Sequence, residues 1–256
     1  LRIGGLARDQ GKACMNRFFV KQEDIRNDIA TITGEDVAHI ARVLRMSAGD
    51  TLMVCDGACT EYEGAILSIG KTVEVALGEG KRCLAELPYR ITLLQGLPKA
   101  GKMETIIQKC VELGVYAIQP VMAARSVARM TEKEFEKKRV RYVKVAVEAA
   151  KQSRRGILPE VYGLLPFDQI DYAAYDLLLV LDEEEDACTL HDSLQRLPRR
   201  LENIAVAIGP EGGLEREEVA LLRAGGGKAV TLGKRILRTE TAGMAALAML
   251  QYALGE

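Results

Sequence analysis

The order of apolar and polar residues changes character once along the chain, near residue 88. Before it, from Met15 to about Ile69, short runs alternate and are closed by turn signals, as half-buried strands require. Residues 17–21 are β-prone, Thr51–Cys55 alternates, Asp56-Gly57 marks a turn, and 61–69 and 72–77 follow as strands. Val37, Ile40, Val43 and Leu44 recur at helical spacing and predict one short helix over 36–46. Residues 15–77 therefore read as a small β-barrel. The stretch 78–88 is polar, holds Gly78, Gly80 and Pro88, and ends the strand pattern, so it reads as a linker.

Beyond it, apolar strands alternate with amphipathic helices. Residues 91–95, 117–122, 176–181, 204–208 and 229–232 are short and nearly all apolar, as strands of a parallel sheet covered on both faces must be. Between them, 102–113 carries Met103, Ile106, Ile107, Cys110 and Leu113 on one face, and Gly114 stands where a helix-ending glycine belongs. A long helix over 132–153 and shorter ones over 215–224 and 239–254 complete the alternation. Residues 89–256 are expected to form an α/β domain with a mostly parallel sheet.

A hydrophobic share of 48% and a charged share of 28% suit an ordinary globular protein, and no apolar run is long enough for a membrane helix. Residues 1–14 lack periodicity and the features of a secretory signal; they read as a tag remnant or an alternative start, with Met15 the credible beginning. Six scattered cysteines without a C-x-x-C pair, and only two histidines, speak against a metal site and for a reduced, cytoplasmic protein.

The net charge of −1 does not by itself suggest a nucleic-acid partner, but its distribution does. Residues 15–88 have 8 Lys+Arg against 12 Asp+Glu, residues 89–165 have 15 against 7, and residues 166–256 have 9 against 16. One basic block between two acidic ones suits a polyanion that meets one face.

In open parallel sheets, ligands bind beyond the C-terminal ends of the strands. Two loops stand at such ends. Loop 208–213 reads Ile208-Gly209-Pro210-Glu211-Gly212-Gly213, with glycines for close backbone approach and a proline to stiffen the turn. Loop 232–242 packs Lys234, Arg235, Arg238, Thr239, Glu240 and Thr241 between a strand and a helix, more polar chemistry than a plain connection needs. Thr239 also suits the N-cap of that helix. The phosphate-cradling and dinucleotide glycine motifs are absent, and Glu215, Glu217 and Glu218 would repel a phosphate at the next helix. The pocket suits a nucleoside that is neutral or cationic at that end.

At this level of detail the chain resembles the 16S rRNA uracil-N3 methyltransferases (the RsmE family) of the SPOUT superfamily. The likeness begins with Met15-Asn16-Arg17-Phe18-Phe19-Val20, then His39-Ile40-Ala41-Arg42-Val43-Leu44-Arg45-Met46 with Gly49-Asp50. It continues through Gln95-Gly96-Leu97-Pro98-Lys99, Lys102-Met103-Glu104, Ile107-Gln108-Lys109, Glu112-Leu113-Gly114, Arg125-Ser126 and Glu148-Ala149-Ala150-Lys151-Gln152-Ser153, and closes with the two loops. Ala100-Gly101 stands where Gly-Asp is expected, and Cys110-Val111 is a second departure.

The resemblance implies a PUA-like β-barrel followed by a SPOUT-type parallel sheet, its C-terminal segment threaded into a trefoil knot around S-adenosyl-L-methionine (SAM). It implies a homodimer, without metal or membrane, that methylates N3 of uridine 1498 in the 16S rRNA of the small ribosomal subunit. Leu181, Ile208, Gly209, Pro210, Glu211 and Gly213 are then expected to hold SAM, with Leu232, Gly233, Ile236, Leu237, Thr239 and Ala242. Uracil N3 must lose a proton as it is methylated. Arg238 or Arg235 would stabilise the resulting charge, and Glu240 is the candidate base. RNA contacts are expected from Arg125, Arg129, Lys151, Gln152, Arg154 and Arg155, from Lys99 and Lys102, and in the barrel from Arg17, His39, Arg42 and Arg45. A tRNA or another rRNA position as target, or an RNA-binding assembly factor without catalysis, remain alternative readings.

Overall fold

The computed structural model describes residues 15–99, 101–195 and 201–255; the expected tag or alternative start and Ala100 lie outside them. The chain divides into two compact units, 1–84 and 85–256.

The first unit is a seven-stranded sheet. Its strands are β1 (Arg17–Phe19), β2 (Ile25–Arg26), β3 (Ile29–Ile32), β4 (Thr51–Cys55), β5 (Thr60–Ile69), β6 (Val73–Leu77) and β7 (Lys81–Arg82). They run in the order β1-β4-β5-β6-β3-β2, with β7 on β5; only β1 and β4 pair in parallel. Phe18, Ile32, Ile40, Leu52, Val54 and Val75 form its core. The β2–β3 hairpin escaped the periodicity argument because its strands are so short. Its turn residues, Asn27 and Asp28, sit at φ +50° and +59°, and an Asn-Asp pair was the available signal.

The expected helix over 36–46 is shorter and irregular. Helix α1 (Glu35–Ala38) runs into a π-helical turn over His39–Val43, where the Leu44 N–H donates to the His39 carbonyl at 2.9 Å. The wider turn rotates the later residues, so Ile40 is buried but Val43, expected on the apolar face, is 67% exposed. The expected linker is partly structure: β7 falls within it, and so does Glu86, a buried anchor of the second unit.

The second unit has β8 (Arg90–Gly96), α2 (Lys102–Glu112), β9 (Ala117–Val121), α3 (Glu132–Gln152), β10 (Glu160–Val161), β11 (Leu177–Leu181) and α4 (Leu190–Leu194). These are followed by β12 (Asn203–Ile208), α5 (Arg216–Ala224), β13 (Lys228–Val230) and α6 (Thr239–Leu254). The sheet order is β10-β9-β8-β12-β11-β13, and every pair is parallel. The apolar runs that predicted these strands are buried among helices, with Leu93, Leu94, Val180, Ala205 and Val206 excluded from solvent.

Register aligns the strand ends. Leu181 pairs with Ile208 and Val230, and Ile208 with Gln95, so β8, β11, β12 and β13 finish at one level. Their four outgoing loops therefore open on the same edge. Helix α2 stops at Gly114 (φ +80°), whose N–H donates to the Val111 carbonyl while the Val115 N–H reaches Cys110. Among the described residues, no helix is long and apolar enough to cross a membrane.

Candidate functional site

The aligned loops enclose a cavity of about 720 Å³ at the C-terminal edge of the sheet. Leu181 enters it from the end of β11, and Ile208, Gly209, Pro210, Glu211 and Gly213 from the loop after β12. Leu232, Gly233, Ile236, Leu237, Thr239 and Ala242 complete the wall from the loop before α6 and its first turn. Arg235 and Arg238 also line it, while Glu240 is joined to it through Lys102. Two loops separated in sequence by α5 and β13 thus meet in one space.

The loop after β12 is fastened from several sides. A Cβ on Gly209 would lie 2.6 Å from the Gly213 carbonyl carbon, and Gly213 has φ +72°, so the loop closes on itself only with glycine. Gly96 gives similar room, since a Cβ there would stand 2.7 Å from Pro210. The Thr239 hydroxyl donates to the Gly209 carbonyl at 2.8 Å and accepts from Gln95 Nε2 at 2.9 Å. This corrects the expected N-cap role: Arg238 occupies the cap position, and Thr239, 5% exposed, ties β8, the glycine loop and α6 together. Arg125 Nη1 donates to the Gly212 carbonyl at 3.0 Å.

Three charges cross the cavity wall. Lys102 Nζ lies 3.1 Å from Glu211 Oε1 and 3.0 Å from Glu240 Oε2. Glu211 also accepts from the Lys99 backbone N–H at 3.1 and 3.2 Å. Burial pushes the Glu211 carboxyl up, but its own backbone N–H, the Lys102 ammonium and the Lys99 N–H outweigh it and hold the group below the usual range. Glu240 is also held low, first by its own N–H and then, against burial, by Lys102. A carboxylate so stabilised is a poor proton acceptor, which weighs against Glu240 as the base. Both carboxylates raise Lys102 above the ordinary lysine range, Glu240 most.

The loop before α6 is different. The side chains of Arg235 and Arg238 are exposed and make no hydrogen bond with a described residue, though the Arg238 charge helps hold Glu240 low, and Ile236 is 81% exposed at the rim.

The chain matches the RNA methyltransferase domain family over residues 85–251 and the RNA methyltransferase PUA domain over residues 32–77. It is 37% identical over 248 residues to ribosomal RNA small subunit methyltransferase E of Bacillus subtilis, with 93% of this chain and 96% of the relative covered. The chain belongs to the ribosomal RNA small subunit methyltransferase E family. The Synechocystis member is 34% identical over 243 residues, covering 93% of this chain and 78% of its own. In structure, the Neisseria gonorrhoeae member, crystallised bound to S-adenosyl methionine, superposes with a TM-score of 0.79 at 29% identity, over 93% of this chain and 97% of that one.

Within this family member, three of the residues expected to touch RNA are committed elsewhere. Arg155 is 2% exposed: it pairs with Glu86 at 2.8 Å and donates to the Val111 and Val115 carbonyls. Glu86 also accepts from the Gly156 and Ile157 N–H groups, so the pair locks the end of α3 to the start of the unit. Arg17 has a side chain only 10% exposed and donates to Cys55 Sγ and Glu61, both at 2.9 Å. Burial pushes the Cys55 thiol up to about 12, so it is an inert core group. Lys102 is engaged by its two glutamates.

His39 packs edge-on to Phe18 at 6.2 Å between ring centres. Arg42, Arg45, Lys99, Arg129, Gln152 and Arg154 are exposed; Lys151 is mostly covered and reaches Glu148 at 3.4 Å. Sequence reasoning missed the acidic loop after β11, where Asp182, Glu183, Glu185 and Asp186 line the cavity. The signal was present: a run of acids directly after an all-apolar strand.

Proposed function

We propose that the protein transfers a methyl group from SAM to N3 of uridine 1498 in the 16S rRNA of the small ribosomal subunit. The observation that carries this is the convergence of loops 208–213 and 232–242 in one cavity, in a chain of this family. The residues present fit the cofactor. The cavity has the size of a nucleoside site, its glycines open backbone to a ligand, and its acidic loop suits a cationic sulfonium. When bound, SAM would supply the methyl group on its sulfonium for in-line transfer.

The chain's own residues supply the rest. Gly209, Gly213, Leu232 and Leu237 shape the walls and offer backbone groups, with Leu181, Ile208 and Ala242 closing the apolar side. Loss of the N3 proton to solvent water spreads charge over uracil O2 and O4, and the exposed guanidiniums of Arg238 and Arg235 are placed to stabilise it. Glu240 orients this edge through Lys102 instead of taking the proton. Exposed Arg129, Gln152 and Arg154, with Lys99 and Arg125, would meet phosphates, as would Arg42 and Arg45 of the first unit.

The reading extends to the architecture. A PUA-like barrel is supported by the register shift between Ile66 and Ser68 in the long β5, which bends the sheet. A knotted C-terminal segment is supported by the Thr239–Gly209 bond that brings α6 against the glycine loop. A homodimer working in the cytoplasm completes it.

Calorimetric titration with SAM, followed by primer extension on 16S rRNA from a strain lacking the gene, tests the proposal. SAM binding and loss of one N3-methyluridine stop are expected; a retained stop at that position would overturn the target.

A further inference from the structure

Lys102 stands where a lysine should not. It is the first residue of α2, and the positive end of a helix dipole disfavours a cation there. The cap does nothing to offset this, because Gly101 at φ +88° offers no side chain. Nor does Glu104, two residues along in the same first turn, since its carboxylate is taken by Arg141 at 2.7 Å. The offset comes from outside the helix, from Glu211 at 3.1 Å and Glu240 at 3.0 Å. A residue that breaks a local preference for a distant gain marks a site where function has been favoured over local stability.

The gain has a geometric meaning. Glu211 lines the cavity from the glycine loop, and Glu240 belongs to the first turn of α6, whose Thr239 and Ala242 line it from the other side. Both carboxylates touch one nitrogen, so their charges lie within about 6 Å of each other and repel unless a cation stands between them. We infer that Lys102 is a positioning residue that sets the width of the cavity's mouth by holding Glu211 and Glu240 on one ammonium. This rests on the methyltransferase reading above and deepens it. Without the ammonium, the two carboxylates push the sides apart, and both the fit of the cofactor and the placement of Arg238, two residues before Glu240, are lost. The role differs from an RNA contact, which would leave the empty cavity unchanged.

Replacing lysine by Lys102→Gln and by Lys102→Arg separates these. Lys102→Gln should weaken SAM binding by about tenfold in calorimetry and lower kcat at least as much, while Lys102→Arg restores most of both. RNA affinity should stay within about twofold of the parent, with the same salt dependence. The decisive variant is Lys102→Gln combined with Glu240→Gln: removing the repulsion should return SAM affinity towards that of the parent, a non-additive recovery. Unchanged SAM affinity in Lys102→Gln overturns the inference. So does a salt slope reduced by about one, the mark of a lost phosphate contact, or a double variant weaker than Lys102→Gln alone. Lys102→Met serves in the same scheme if the glutamine variant fails to fold by circular dichroism. Failure of the parent protein to bind SAM would instead refute the methyltransferase reading.

Discussion

The two loops that face each other across the cavity are built in opposite ways. The loop after β12 is gripped by Thr239, Lys99, Lys102 and Arg125 and closes on its own glycines. The loop before α6 is held by little more than the Thr231 hydroxyl, which accepts from the Gly233 N–H and donates to the Gly233 carbonyl, both at 3.2 Å, and it leaves Arg235, Ile236 and Arg238 exposed. A wall must keep its shape before the ligand arrives, and its fixed backbone groups then bind without reorganising. A rim that meets a large flexible partner must keep donors unspent. On the proposed function, the first loop fixes the cofactor's fit, while the second, which also lines the cavity, carries the RNA-facing chemistry.

The largest effect should come from breaking the wall. Gly209→Ala forces a Cβ into the Gly213 backbone, so SAM binding should vanish in calorimetry, with a stability loss of roughly 1–3 kcal/mol in denaturant titration. On the rim, Arg238→Ala should lower kcat by about 10²–10³-fold, as for a lost charge-stabilising donor. Its SAM affinity and melting temperature should stay near those of the parent. A large fall in stability would show that Arg238 belongs to the wall after all.

Thr239→Val tests the deepest fastening. It takes the hydroxyl donor from the Gly209 carbonyl and leaves the Gln95 amide only its bond to the Gly96 carbonyl, which should cost about 1–3 kcal/mol and weaken SAM binding measurably. Acid sharpens the contrast further. Glu211 and Glu240 are held below their ordinary 4.5, so the stability they contribute is full above that value and fades as pH falls through their lower folded values. Thermal melts should therefore decline below about pH 4.5, less steeply in Lys102→Gln, where the depression is relieved. The smallest effect is expected from Ile236→Ala, within about 0.5 kcal/mol of the parent in stability because the side chain is already exposed. Only its RNA affinity should move.

Much of the second unit was legible in the chain. Apolar runs located β8, β9, β11 and β12 to within a residue or two, because a strand buried on both faces is built mostly of apolar residues. Short elements were not legible: β2, β10 and α4 are too brief for any period to emerge. The cavity loops could be named because glycines and arginines at strand ends are locally conspicuous. Arg154 and Arg155 show where such reasoning stops. They are adjacent and chemically alike, yet Arg154, at φ +58°, closes α3 and points to solvent, while Arg155 lies buried on Glu86. Nothing within a few residues of either distinguishes them, because the partner that does is 69 positions away.

The same limit separates what this chain determines alone from what its folding decides. Periodicity and turn chemistry are local, and they suffice for strands, helices and the position of flexible loops. Charge is different, because its effect depends on what stands about 3 Å away. Lys102 reads as one more cation of a basic block until the sheet register brings Glu211 and Glu240 to it; only then does it become the pin between two loops.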